Sequence, residues 1–162
     1  MMMFIHAQKI PEVLKTEFST EALSQTITNI EDQQVNIASV LEKHKGKIVI
    51  IEFWAGWCRD CLIGMPASHK LQESNPDVEF VYLSLDRTKD SWKRGITKLN
   101  LQKGDNYWFH TGWKNDFTAY VDLNWIPRYI VVDQKGDIAK YYAVSADDPE
   151  IQETINSLRS GR

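Results

Sequence analysis

The run Ile48-Val49-Ile50-Ile51-Glu52-Phe53 constrains this chain most. It is β-branched or aromatic except at Glu52, with no polar alternation before that residue. A strand with one wet face alternates. A continuous apolar run reads as a strand covered on both faces, as in a parallel sheet flanked by helices. Ala55-Gly56 ends the run, and Cys58 and Cys61 follow, the only two cysteines of 162 residues. A helical pattern covers residues 58–74, with Pro66 expected to interrupt it by removing a backbone donor. The cysteines therefore fall where a central strand hands over to a helix. Open α/β sheets place reactive groups at that point.

The position has chemical consequences. The first turn of a helix carries unpaired N–H groups and the positive end of the dipole, both of which favour a thiolate. Cys58 is expected at the exposed tip with a lowered pKa, and Cys61 one turn further on the same face. A thiolate attacks a disulfide, and a second thiol resolves the mixed disulfide. The same spacing also makes half of a zinc knuckle. There is no second cysteine pair, and His6, His44, His69 and His110 form no pair at ligand spacing. The strand–turn–helix context favours redox chemistry over metal binding.

The length suits one domain able to bury its own core. Charged residues are 25% and the net charge is −3, so no basic surface argues for nucleic acid. No apolar run approaches the ~20 residues of a membrane span. MMMFIHAQ is apolar, lacks a basic start and is shorter than a full signal peptide. Residues 1–7 read either as the tail of a signal sequence or as an edge-strand or loose start.

The remaining chain reads as alternating elements. Residues 9–25 suggest a short helix or loop. Thr26–Ile30 is a half-buried strand, Glu31–Gln34 a turn and Ala38–His44 a helix. Val78–Leu85 is a second central strand and Lys89–Asn100 a helix. Trp108-Phe109 reads as a short strand and Phe117–Val121 as a short helix. Arg128–Val132 and Asp137–Tyr142 form a hairpin across Asp133–Gly136, and residues 147–159 form a last helix.

FWAGWCRDC, with Pro66 five residues after Cys61, resembles the thioredoxin superfamily. The spacing from Glu52 to Cys58 is similar to that of the acid which thioredoxins bury beneath their cysteines. The added length resembles the TlpA/ResA-like branch of thiol–disulfide oxidoreductases. The resemblance implies an α/β thioredoxin fold, a central mixed sheet flanked by helices. It also implies an N-terminal β-hairpin extension and an insertion at about residues 86–116, before the cis-proline strand. It covers roughly residues 26–159, with 1–25 as an N-terminal extension and 26–162 as the thioredoxin-like domain.

By resemblance, Cys58 attacks and Cys61 resolves. Pro127 is the cis-proline facing them, leaving the Ile126 backbone to pair with an extended substrate segment. Trp57 resembles the exposed tryptophan that contacts substrate. Glu52 is read on physical grounds too. A carboxylate in a covered strand is costly unless paired or protonated, and burial raises its pKa. It is then placed to take the proton from Cys61. The bland alternative is a glutamate that reaches solvent near a strand end. Between the cysteines, Arg59 favours the thiolate and Asp60 opposes it, or both are simply solvated. Arg128, where the family often has threonine, is expected to bring charge to the substrate strand. Trp54 and Met65 read as core. Trp92, Trp108, Trp113 and Trp125 read as packing, with Trp125 able to line the groove. His69 reads as a surface residue.

These readings imply exchange of disulfides with protein or peptide substrates and an upstream redox partner, with no cofactor beyond the cysteine pair and no metal. A monomer in the periplasm or cell envelope is expected, the cytoplasm remaining open. The alternative is a redox-inert or Cu(I)-binding module on the same fold.

Overall fold

The computed structural model describes residues 9–161, so the reading of residues 1–7 lies outside the described chain. Its elements are α1 (Thr20–Leu23), β1 (Thr26–Asn29), β2 (Gln34–Asn36), α2 (Ile37–Lys43), β3 (Val49–Trp54), α3 (Arg59–Ser74) and β4 (Glu79–Ser84). They continue with α4 (Lys89–Lys98), β5 (Asp105–Trp108), α5 (Asp116–Tyr120), β6 (Arg128–Val132), β7 (Ile138–Ala143) and α6 (Pro149–Arg159). Among the described residues the strands form one seven-stranded sheet, ordered β2-β1-β5-β4-β3-β6-β7. β3, β4 and β5 run parallel, and the remaining pairs are antiparallel. This is the thioredoxin fold, a mixed sheet flanked by helices.

β3 lies between β4 and β6, and all six of its residues are buried. Alternation puts Ile50, Glu52 and Trp54 on one face and Val49, Ile51 and Phe53 on the other. The crossovers through α3 and α4 both step in the same direction along the sheet. Right-handed connections therefore lay both helices on one face. Ser68 of α3 accordingly meets Glu52. Gly95 of α4 lies against Trp54, so closely that a Cβ there would sit 2.8 Å from the indole ring. On the opposite face Phe53 stacks with Phe117 of α5 and with Phe109, at centroid distances of 6.1 and 6.5 Å. Phe18 stacks on Phe117 in turn, which fastens the segment before β1 to this layer. Burial of each such ring stabilises the fold by roughly 1.5–3 kcal/mol.

Two expectations about elements are corrected. α3 runs through Pro66 without interruption. The proline removes one backbone donor, while Cys61, Met65, Ser68 and Leu71 still bury a continuous helical face. β5 starts at Asp105, three residues before the expected strand, and ends at Trp108. The polar Asp105 is tolerated because Lys43, His44 and Tyr107 all bond its carboxylate.

Candidate active site

β3 ends at Trp54, and the chain turns through Ala55-Gly56-Trp57 into α3. The turn is closed by Cys58 N–H donating to the Ala55 carbonyl at 3.1 Å. Cys58 is the N-cap of α3, and its sulfur accepts the Cys61 N–H at 3.1 Å. Cys58 and Cys61 are joined in a disulfide across the first helical turn, with Cα atoms 5.2 Å apart. Cys58 Sγ also lies 3.7 Å from the Ile126 carbonyl oxygen. The Ile126–Pro127 peptide is cis.

The sulfur is not at an exposed tip. Cys58 is only 5% exposed, whereas Trp57 is 56% exposed. The turn folds the sulfur in beneath the Ile126 loop and leaves the preceding indole outside. Arg59 and Asp60 are exposed in the first turn. With Trp57, Trp113, Trp125 and Ile126 they surround a cleft of about 450 Å³ that includes Cys58.

Asp86 holds this turn, and the sequence reading passed over it. One carboxylate oxygen accepts the Gly56 N–H at 3.0 Å, and the other accepts the Ser84 hydroxyl at 2.6 Å. The Asp86 carbonyl accepts from the Trp108 indole at 2.7 Å. Asp86 is 2% exposed, so the end of β4 is tied to the cysteine turn by a buried polar link. An acid just past a strand end, level with the reactive turn, was the available signal.

Glu52 is fully buried and does not reach solvent. Its Oε1 accepts the Ser68 hydroxyl at 2.6 Å, and its Oε2 has no hydrogen-bond partner among the described residues. Strand register sets Tyr82 and Tyr129 on either side of it. Burial pushes its carboxyl up to about 7, against smaller opposing contributions from the Ser68 and Tyr129 hydroxyls. Burial and the Glu52 charge raise both neighbouring phenols. Ser68 lies seven residues beyond Cys61, about 10 Å along the helix axis. The carboxyl thus points down the helix in the disulfide form.

Arg128 does not bring charge to the substrate strand. It pairs with Phe53 in the β3–β6 register and so points to the face opposite Glu52. Its guanidinium is buried, donating to the carbonyls of Val121 at 3.0 Å and Tyr141 at 2.7 Å. It lies 4.9 and 4.7 Å from the ring centres of Tyr141 and Tyr142. Adjacency to Pro127 in the chain did not reveal the face. His69 is a partly buried residue of the helix surface, with Nε2 2.8 Å from the Leu99 carbonyl. Trp54 and Trp92 are core, and Met65 is buried. Among the described residues no group of three or more His, Cys, Asp or Glu side chains is arranged to hold a metal ion.

The comparisons with known proteins agree with this geometry. The Thioredoxin-like family model matches residues 46–138, more than half of the chain. The chain belongs to the thioredoxin-like family. A solution structure of a candidate thiol-disulfide oxidoreductase from Bacteroides vulgatus is 32% identical and superposes with a TM-score of 0.71, covering 88% of this chain and 91% of that one. Thioredoxin-like protein YneN of Bacillus subtilis is 28% identical over 107 residues, 66% of this chain and 51% of its own length. Thiol-disulfide oxidoreductase ResA of Bacillus thuringiensis is 29% identical over 90 residues, 54% of this chain and 50% of its own. The chain thus spans about half the length of the curated relatives it matches. Within the thioredoxin-like family it is of the TlpA/ResA-like kind, with a Cys-x-x-Cys disulfide at the head of a helix.

Proposed function

We propose that this chain is a thiol–disulfide oxidoreductase that exchanges disulfides with protein or peptide substrates. One observation carries the reading: the Cys58–Cys61 disulfide caps α3 beside the Ile126 carbonyl. In the reduced protein the helix terminus favours a Cys58 thiolate. That thiolate attacks one sulfur of a substrate disulfide. The substrate S–S bond breaks, a mixed disulfide forms at Cys58, and the second substrate sulfur leaves as a thiolate. Cys61 then loses its proton and attacks Cys58 Sγ, which closes the protein disulfide and releases the other substrate thiolate. The reverse sequence oxidises a dithiol, and the partner's potential sets the direction.

Glu52 takes the Cys61 proton in this scheme. Its bond to Ser68 places the carboxyl about two turns from Cys61, so transfer runs through a water or follows release of Ser68. Ile126 presents its backbone to an extended substrate segment, and Pro127 holds that loop against the cysteines. Trp57, exposed beside the sulfur, contacts substrate. Arg59 and Asp60 tune the thiolate in opposite senses. The cysteine pair itself is the redox group, and no bound cofactor takes part. The protein acts as a monomer outside the cytoplasm and is returned to its starting state by a separate redox partner. Among the described residues no helix is long and apolar enough to cross a membrane.

The test is turnover of a peptide disulfide by protein kept reduced with a small dithiol. Wild-type protein turns it over and Cys58→Ser does not. In Glu52→Gln the Cys61 step slows by about 100-fold near pH 7, the lower end of what a positioned base supplies. Absence of turnover together with stoichiometric Cu(I) binding by the reduced protein would replace this reading with the binding-module alternative.

A further inference from the structure

We infer that the cleft beside Cys58 seats an apolar or aromatic side chain next to the substrate's reacting cysteine, and so decides which disulfides are exchanged. The inference rests on the disulfide-exchange reading and names the substrate class for it. Three indoles form the cleft, brought together from three separate segments. Trp57 comes from the cysteine turn, Trp113 from the loop between β5 and α5, and Trp125 from the loop that leads to Pro127. Cys58 and Ile126 share the same cleft. A substrate sulfur bonded to Cys58 therefore places its neighbouring residue against the indoles. On the far side of Pro127 a smaller groove of about 270 Å³ runs past Ile63 and Val144, and neither Cys58 nor Ile126 lines it.

The backbone that carries Trp113 is held in place before any substrate arrives. The Thr118 hydroxyl donates to its carbonyl at 2.5 Å, and Asn115 Nδ2 donates to the Gly112 carbonyl at 2.9 Å. Asn115 and Thr118 also form a reciprocal cap on α5. Gly112 has φ of +76°, in the left-handed region where glycine is favoured, so the loop is shaped for this conformation. A preformed wall loses little freedom on binding.

The wall also selects the class of occupant. Trp57 and Trp125 are 56% and 38% exposed, so an apolar side chain covers aromatic surface that now faces water. Arg59 and Asp60 at the rim carry opposite charges, so the cleft has no net charge to hold an ion. A charged side chain would exchange hydration for indole surface. Indoles also attract cations, so lysine is the competing occupant that the test must include.

The experiment uses the reduced full chain and a series of disulfide peptides that differ only in the residue beside the cysteine: Phe, Leu, Gly, Lys or Glu. The expected result is kcat/KM higher by about tenfold for Phe and Leu than for Gly, Lys and Glu, carried mostly in KM. In Trp113→Ala the Phe-to-Gly ratio falls toward one, and Trp113→Phe restores most of it. The ratio is measured within each variant, so a general loss of activity does not imitate the effect. Equal rates across the wild-type series, or a preference for Lys or Glu, overturn the inference alone. No turnover of any peptide by wild-type protein overturns the exchange reading beneath it.

Discussion

The Ser68 hydroxyl donates to Glu52 Oε1 at 2.6 Å, joining the face of α3 that carries Cys61 to the middle of β3. The bond gives a fully buried acid one partner and leaves its second oxygen without one among the described residues. Burial dominates, and the folded carboxyl titrates at about 7 against an ordinary value of 4.5. The folded state therefore holds more protons than the unfolded state between these values. Stability falls as pH rises through this window, by about 3 kcal/mol once pH exceeds 7. Glu52→Gln removes this dependence. Urea denaturation of the oxidised proteins at pH 4 and pH 8 is expected to show the variant gaining on wild type by about that amount as pH rises. A difference that does not change with pH contradicts the burial account of Glu52.

Asp60 lies in the first turn of α3, one residue before the resolving cysteine. Its negative charge opposes a thiolate at Cys58, in the sense that charges near a helix terminus act. Asp60→Asn is expected to raise the thiolate fraction of reduced Cys58, as the neighbouring charge disappears. Alkylation of Cys58 by iodoacetamide at fixed pH should quicken by about twofold at low salt, and the gain should shrink as salt screens it. An unchanged or slower rate would mean that Asp60 does not act on the sulfur.

Asp86 joins Gly56 to Ser84 and is expected to stabilise the fold and fix the cysteine turn together. Asp86→Ala takes the acceptor from the part-buried Gly56 amide and from the buried Ser84 hydroxyl, which keeps only the residue 86 N–H that it accepts, at a cost of about 1–3 kcal/mol. Asp86→Asn keeps an acceptor for Gly56, and the Ser84 hydroxyl can turn to accept from the new amide. The asparagine variant should therefore lose less stability in denaturant titrations, and its peptide kcat should stay closer to wild type. Equal losses in the two variants would remove the carboxylate's hydrogen bonds from the explanation.

Arg128 is buried on the face away from Glu52, with two carbonyls and two phenol rings around its guanidinium. Arg128→Ala opens a cavity and strands the carbonyls of Val121 and Tyr141, so a loss of about 3 kcal/mol is expected. The preference among peptides of different charge should not move. A changed charge preference with unchanged stability would return Arg128 to the substrate side.

The sequence showed β3 and the cysteine helix because their signals are local. An apolar run has one reading in a mixed sheet, and a Cys-x-x-Cys after it fixes where the helix starts. The surrounding site depends on register and loop packing, which the local pattern does not carry. Arg128 follows Pro127, yet its pairing with Phe53 turns it to the other face. Trp113 reads as one more packing indole, yet it lines the cysteine cleft from a loop whose backbone is bonded to α5. Asp105 looks like a loop residue until Lys43, His44 and Tyr107 are seen to converge on it. Cys58 was expected outside because the helix start faces solvent, but the Ala55–Cys58 turn puts Trp57 there instead.

The central claim is that Cys58 makes the covalent bond to substrate and Cys61 breaks it. Reduced Cys61→Ser mixed with excess peptide disulfide, quenched in acid and weighed by mass spectrometry, tests this most directly. The expected result is one peptide attached through Cys58 that persists for the length of the assay, while wild-type protein passes on to its internal disulfide. Absence of the adduct, or an adduct that forms in Cys58→Ser through Cys61 at the same rate, contradicts the assignment.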